Sequence, residues 1–332
     1  MLFKPILIKM RALVIILYLN FKFFRSGKRK EAEKYKYLEL SNREEKEFLV
    51  IFSWLEHNYN LIRRLCHEEV FKIDRLHDSR DNHIFSFWNS GHNLSPKLIK
   101  WCSKELENSS NNVILLNERN IIKFDKLDLS YFKYVRKWCN KIDVLRFELL
   151  AKYGGVYIDA DLWCREDAQF YIEQLEKKNS NFFAFSEPSI FNMRIGFLAG
   201  KKGNYISVML YVALKHLWQR EKPFFLEQVC FHHVRWLFMA LCIYDNEFAE
   251  NWKRSLTRNV LPNYALIRNL RKHGNKAHVY KSISQSDIHI LSHKRSDIKI
   301  EQLVYWSKQY KFVDDRKCIT VAEFNSRPKE AS

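Results

Sequence analysis

Two aspartates separated by one residue, Asp159 and Asp161, fall near the end of the run Ile142 to Cys164, IDVLRFELLAKYGGVYIDADLWC. Carboxylates held that close in a partly buried place repel each other and lose hydration, so the pair calls for a compensating cation. A hard divalent ion, Mg2+ or Mn2+, prefers oxygen ligands and keeps positions open for phosphate oxygens. Asp-x-Asp at a strand end is therefore a candidate clamp for a metal and a diphosphate. Alone, the tripeptide suits a solvated turn or a helix cap equally well. Its surroundings argue for the clamp.

The elements that must position the pair are legible on either side of Gly154. Upstream, Ile142, Leu145, Leu149 and Tyr153 recur at helical spacing, and Asp143 and Arg146 sit together at i and i+3 on another face. Gly154 follows the last helical residue, as a C-cap glycine does, and Gly155 permits a tight reversal into Val156-Tyr157-Ile158. Strand alternation then sends Val156 and Ile158 to one face, and Tyr157, Asp159 and, if the extended backbone persists, Asp161 to the other.

The chain has 332 residues with 56 Lys+Arg against 38 Asp+Glu, a formal net charge of +18. That excludes a peptide and an acidic disordered chain, and it favours anionic partners: nucleic acid, anionic lipid, or phosphorylated small molecules. With 47% hydrophobic residues, 8 Gly and 6 Pro, long regular elements around a large core are expected rather than low-complexity structure. Seven scattered cysteines, none spaced C-x-x-C, read as reduced thiols of a cytoplasmic protein.

Residues 1–24 are apolar, but the uninterrupted run is only Ala12 to Leu19, and Lys4, Lys9, Arg11 and Lys22 interrupt or flank it. A spanning helix needs roughly 20 predominantly apolar residues, and no small-residue cleavage signal follows. With the basic stretch from Arg25 to Lys36 beside it, the segment suits either an interfacial helix on an anionic leaflet or an ordinary packing helix. Phe48, Ile51, Phe52, Leu55, Tyr59 and Ile62 then predict a packing helix within Arg43 to Phe71. His83 to Trp88 reads as a strand ending in Asn89-Ser90-Gly91, followed by a helix with Ser95 as N-cap and Pro96 in its first turn, and Val113 to Leu116 reads as the next strand. Strand, helix and strand in alternation predict an α/β sheet.

The pattern D-x-L-R-x-x-x-L-x-x-Y-G-G-V-Y-x-D-x-D, from Asp143 through Asp161, resembles the signature of the DXD sugar transferases. These include the capsular polysaccharide synthesis proteins, the family-32 α-mannosyltransferases of fungi and the glucosylating domains of large clostridial toxins. His83 to Gly91 with Pro96 is similar to the opening strand and Trp-x-x-Gly turn of that group, and the order of motifs suits the capsular polysaccharide proteins best. The resemblance covers about residues 80 to 300.

It implies a GT-A-type α/β fold, a mixed nucleotide-sugar-binding sheet flanked by helices, with a helical N-terminal extension at 1–80, the transferase domain at 81–315 and a C-terminal tail at 316–332. It gives Asp159 and Asp161 the metal and diphosphate, Asp143 and Arg146 the ribose or donor sugar, and Trp88 the face of the nucleotide base. Ile288 to Lys294 resembles the late His-Lys segment of the group, in which His293 would complete the Mn2+ or Mg2+ shell and Lys294 would neutralise the diphosphate; His289 is the competing ligand, and an exposed basic loop is the plainer reading. The implied activity is transfer of a sugar from a nucleotide-sugar to a glycan or lipid-linked acceptor in surface polysaccharide synthesis, with retention. A UDP-sugar is the expected donor and GDP-mannose the second choice. The implied place is the cytoplasm or the inner face of the cytoplasmic membrane.

Ser186 to Pro188, Asn192 and Gly196 to Lys202 fall where acceptor and donor-sugar contacts are expected, but the spacing assigns no residue. Glu227-Gln228 is read as part of an amphipathic helix running to Met239. A metal-dependent nuclease or phosphotransferase also uses paired carboxylates, and a nucleic-acid-binding protein would also be basic. The former leaves the Trp-x-x-Gly strand and the Asp-x-x-Arg helix unexplained. The latter lacks any zinc-ligand spacing or RNA-binding run, so nucleic acid is not an expected partner.

Overall fold

Apolar runs bounded by Gly, Asn and Asp form the strands β1 (Ile84–Phe87), β2 (Val113–Leu116), β3 (Gly155–Asp159), β4 (Leu162–Cys164), β5 (Phe182–Ser186), β6 (Met193–Gly200), β7 (Leu256–Asn259), β8 (Ile288–Ile290) and β9 (Ile319–Thr320). The computed structural model describes residues 42–75, 83–186, 193–220, 232–259, 266, 286–291, 300–309 and 318–326. Among these, seven strands make one sheet in the order β2-β1-β3-β6-β5-β7-β9, and β4 pairs with β8 in a separate ribbon. β1 runs parallel to both β2 and β3, with Phe87 in register with Asp159, whereas β6 runs antiparallel to β3. The sheet therefore changes direction at the edge of the strand that carries Asp159. Residues 318–326, placed by the sequence in a tail, add β9 and a short helix to the same sheet.

The helices are α1 (Asn42–Asp74), α2 (Lys97–Ser109), α3 (Trp138–Tyr153), α4 (Gln169–Lys177), α5 (Tyr205–Arg220), α6 (His233–Tyr244), α7 (Asn246–Arg254), α8 (Ile300–Gln309) and α9 (Val321–Ser326). Strand alternation divides the core in two. Phe85, Phe87, Tyr157, Ala184 and Leu198 face α1, α3, α5, α6 and α7, while Ile84, Val156, Ile158, Phe183 and Ala199 face α4 and Leu106 of α2. Helices thus cover both faces of a mixed sheet, the α/β architecture expected from the sequence and consistent with a GT-A-type fold.

Three local expectations change. Ser95 does not cap α2: its hydroxyl donates to the His92 carbonyl, and the helix opens after Pro96 without a side-chain cap. α3 is not a one-sided stripe, because every residue from Val144 to Tyr153 is buried, Glu148 and Lys152 included. Those two charges are tolerated because they meet. Lys152 Nζ lies 2.9 Å from Glu148 Oε1 and 3.6 Å from Glu69 Oε1 of α1, and Glu148 Oε1 also accepts the Asp128 N–H. The extended backbone of β3 ends at Asp159, and Ala160 and Asp161 turn the chain into β4. Among the described residues no helix is long and apolar enough to cross a membrane, and the apolar segment 1–24 lies outside them. The six described cysteines are free thiols.

Candidate active site

The double glycine does what its conformational freedom allows. Gly154 and Gly155 adopt φ of +69° and +91°, and a Cβ on Gly155 would come within 2.2 Å of the His83 carbonyl oxygen. The chain can therefore leave α3, pass tightly beside the start of β1 and enter the sheet, a path closed to any residue with a side chain. This brings the third turn of α3 back against the end of β3.

There, Arg146 meets Asp159. The Arg146 Nη1 atom lies 3.3 Å from Asp159 Oδ1, and Nη2 lies 2.9 Å from Asp143 Oδ1. Nη1 also donates to the Ile195 carbonyl, and the guanidinium lies 5.0 Å from the centre of the Tyr157 ring. Both acidic neighbours raise the Arg146 pKa further despite its burial, so the cation is permanent. Asp143 has a second neighbour, His233 at the start of α6, with Nε2 at 3.5 Å from Oδ2. The i, i+3 pair predicted from the sequence is thus real, and most of its bonding is to the protein itself.

Asp159 and Asp161 line one cavity of about 210 Å3 together with Arg194, Gly196, Leu162 and Ile290. A β-bulge shapes its wall: Ala184 pairs with Leu198 and Phe185 with Arg194, so residues 195–197 depart from the ladder, turning the Ile195 carbonyl to Arg146 and Gly196 to Asp159. A Cβ on Gly196 would stand 3.1 Å from Asp159 Oδ2. Glycine here keeps that oxygen clear. Burial first, then the charges of Asp161 and Asp143, push the Asp159 carboxyl up to about 7, and Arg146 only partly offsets them. An excess of negative charge around open carboxylate oxygens is the environment that a divalent cation relieves. Among the described residues no group of three or more His, Cys, Asp or Glu side chains that could hold a metal ion is gathered.

Trp88 follows Phe87, the register partner of Asp159, at the carboxyl end of β1; it is partly exposed, and its N–H donates to the Leu116 carbonyl. It stands on the opposite side of β3 from the cavity. His293 and Lys294 lie outside the described residues, as does Glu227. Just before that segment, the Leu291 N–H donates to the Asp161 carbonyl at 3.0 Å, and β8 pairs antiparallel with β4. His289 is turned elsewhere. Ile288 and Ile290 line the cavity, whereas the His289 imidazole is fully buried and packs against Trp163, 5.1 Å between centroids. Behind β8, Asp287 accepts from Tyr171 at 2.8 Å and from Arg258 at 2.9 Å, which fixes the strand to α4 and β7.

Arg194, Gly196 and His233 are the site residues that sequence reasoning missed. Gly196 opens the Gly196 to Lys202 run to which spacing assigned no residue, Arg194 lies just before that run, and His233 carries no local motif. A family model described as capsular polysaccharide synthesis protein matches residues 29–309 of the chain. No curated protein and no solved structure matches it.

Proposed function

The chain belongs to the capsular polysaccharide synthesis protein family, and from that premise we propose that it is a metal-dependent glycosyltransferase. It moves a sugar from a nucleotide-sugar, a UDP-sugar first among candidates, to a glycan or lipid-linked acceptor, with retention. One observation carries this reading. The acidic pair opens into a cavity at the carboxyl end of β3, next to the β1–β3 junction where the order of the parallel strands reverses, and ligands of open α/β sheets bind outside the carboxyl ends of strands at such switch points.

Asp159 and Asp161 would hold Mn2+ or Mg2+, with His293 as a third ligand. When bound, the ion offers positive charge to the phosphate oxygen on which negative charge builds as the anomeric bond breaks. The chain's own residues prepare that place. Asp143 and Arg146 expose only 15% and 6% of their side chains, so their service to the donor is to fix the Asp159 carboxylate in position from below. Gly196 keeps its outer oxygen clear of side-chain carbon. Trp88 offers an aromatic face to the base on the far side of β3, and Lys294 neutralises diphosphate charge. The basic net charge supports attraction of a nucleotide-sugar and, through the N-terminal segment, of an anionic membrane surface at the inner face of the cytoplasmic membrane.

The test is a thermal-shift panel of UDP-, GDP-, CMP- and dTDP-sugars with and without Mn2+, since a ligand that binds the folded state alone raises the melting temperature. A metal-dependent shift with one nucleotide is expected, and its loss in Asp159→Asn and Asp161→Asn variants that remain folded. No shift with any donor, alongside one with oligonucleotides, would overturn the reading.

A further inference from the structure

We propose that Arg194 is a second cation for the departing diphosphate, a catalytic residue built into the bulge of β6. The inference rests on the transferase reading above.

Charge balance is the first argument. A divalent ion offsets Asp159 and Asp161, and Arg146 is taken up by Asp143, Asp159 and the Ile195 carbonyl. Neither group has positive charge to spare for the two negative charges of a nucleoside diphosphate sugar. Among the described residues, the cation that lines the cavity with the aspartates is Arg194.

Size is the second argument. Pockets for whole small molecules run to roughly 300–1,000 Å3, and this one is about 210 Å3. Groups on its wall therefore face each other across one phosphate or one sugar ring, not across a nucleotide. Because the two aspartates would hold the metal end of the diphosphate, Arg194 on the same small wall would stand next to the phosphate that carries the sugar. The remaining lining, Leu162, Phe197, Ile288 and Ile290, is apolar and strengthens a charged contact by keeping water away.

The bulge is the third. In a regular β5–β6 ladder, residues 195–197 would be paired; released from it, they present Gly196 to Asp159 and leave Arg194 opposite Phe185 at the cavity. Bulges recur beside active sites for this kind of re-aiming. Arg194 also reaches the start of α6: burial, then Arg235 and in smaller measure Arg194, hold the His232 imidazole pKa down against Glu47 and Glu44.

In the transfer step, the bond from the anomeric carbon to the diphosphate oxygen breaks and its electron pair stays on that oxygen. The acceptor hydroxyl oxygen forms the new bond to the anomeric carbon, and its proton goes to the departing phosphate. Arg194 donates to the oxygens of that phosphate as charge accumulates there, through the paired N–H geometry that suits phosphate.

The experiment measures binding to the full chain by calorimetry, with Mn2+ alone and then, at saturating Mn2+, with uridine, UMP and UDP and with the guanosine series. Wild type is expected to gain affinity from monophosphate to diphosphate. Arg194→Gln should bind Mn2+ within threefold of wild type, keep monophosphate affinity, and lose about tenfold to a hundredfold in diphosphate affinity, the range of one charged hydrogen bond. Arg194→Lys should recover part of the loss, and it serves as the test variant if the glutamine variant does not fold. An undiminished gain from mono- to diphosphate in both variants overturns the role of Arg194 while leaving the transferase reading in place. So does a defect that appears only on adding saccharide acceptors, which would make Arg194 an acceptor residue. Failure of wild type to bind any nucleotide with Mn2+ overturns both.

Discussion

Changing pH between 5.5 and 8.5 spans the range in which the Asp159 carboxyl changes charge. Burial, with Asp161 and Asp143, moves the Asp159 carboxyl from 3.8 to about 7 against the pull of Arg146. A proton and a divalent ion compete for the same oxygens, so affinity follows the ionised fraction: about a tenth at pH 6, about a half at pH 7 and about nine tenths at pH 8. Apparent Mn2+ affinity should rise about tenfold from pH 6 to pH 8 and then level. Metal-free stability runs the other way. The native carboxyl keeps its proton to higher pH than the unfolded one, so its stabilising contribution is complete below the unfolded value of 3.8 and is lost as pH rises through about 7. The assay is thermal unfolding of wild type and Asp159→Asn across this range, with and without Mn2+, read as the difference between the two proteins so that other titrating groups cancel. Without metal, the melting temperature of Asp159→Asn should fall less than that of wild type as pH rises; with metal, its upshift should vanish. A Mn2+ upshift equal at pH 6 and pH 8, or one that survives in Asp159→Asn, refutes the reasoning.

Gly196→Ala places carbon 3.1 Å from Asp159 Oδ2; a displacement of a few tenths of an ångström should leave the fold intact and lower Mn2+ affinity about tenfold, and an unchanged titration would show that this oxygen does not face the ion. Lys152→Met leaves Glu148 buried without its cation and should cost about 3–5 kcal/mol in urea unfolding; a loss below about 1 kcal/mol would mean the charges are hydrated. Trp88→Ala should weaken nucleotide binding by about 1–3 kcal/mol if a base stacks there, whereas unchanged nucleotide affinity with reduced stability makes it a packing residue. Sedimentation with anionic vesicles should capture the full chain at low salt and release it at high salt, and absence of capture at low salt removes the membrane from the proposal.

What was legible in the sequence is what lies contiguous along it. Asp143 to Asp161 holds a helix, its stop, a reversal and a strand in one unbroken run, and period and glycine placement sufficed to bring Arg146 back beside Asp159. Legibility failed where the sheet joins distant segments. Nothing local to Arg194 or Gly196 announces that β6 lies antiparallel beside β3, still less that a bulge at 195–197 turns them into the cavity. Nor does spacing reveal that α3 is enclosed on every side, because Glu148 and Lys152 look like a solvated pair until α1 closes over them with Glu69. At the aspartates the alternation argument itself gave way: a turn at Ala160 and Asp161, not continued extension, puts both carboxylates on the cavity. Ser95 had the right type for a cap, but the helix opens one residue later, after Pro96, and the Ser95 hydroxyl donates instead to the His92 carbonyl of the preceding turn.

The reversal of strand direction between β3 and β6 has an evolutionary consequence. On one side of that seam lie β1, β2 and the double glycine, whose spacing admits almost no change, since a Cβ at Gly155 would strike backbone. On the other side, the β5–β6 ladder shifts register between Ala184 and Phe185, a break that lies outside the parallel pairings of β1. Substitutions at that break leave the register of β1 with β3 untouched. New pocket shapes can therefore be grafted onto one geometrically fixed half of the molecule, and chimaeras cut at the seam are the natural way to exchange them.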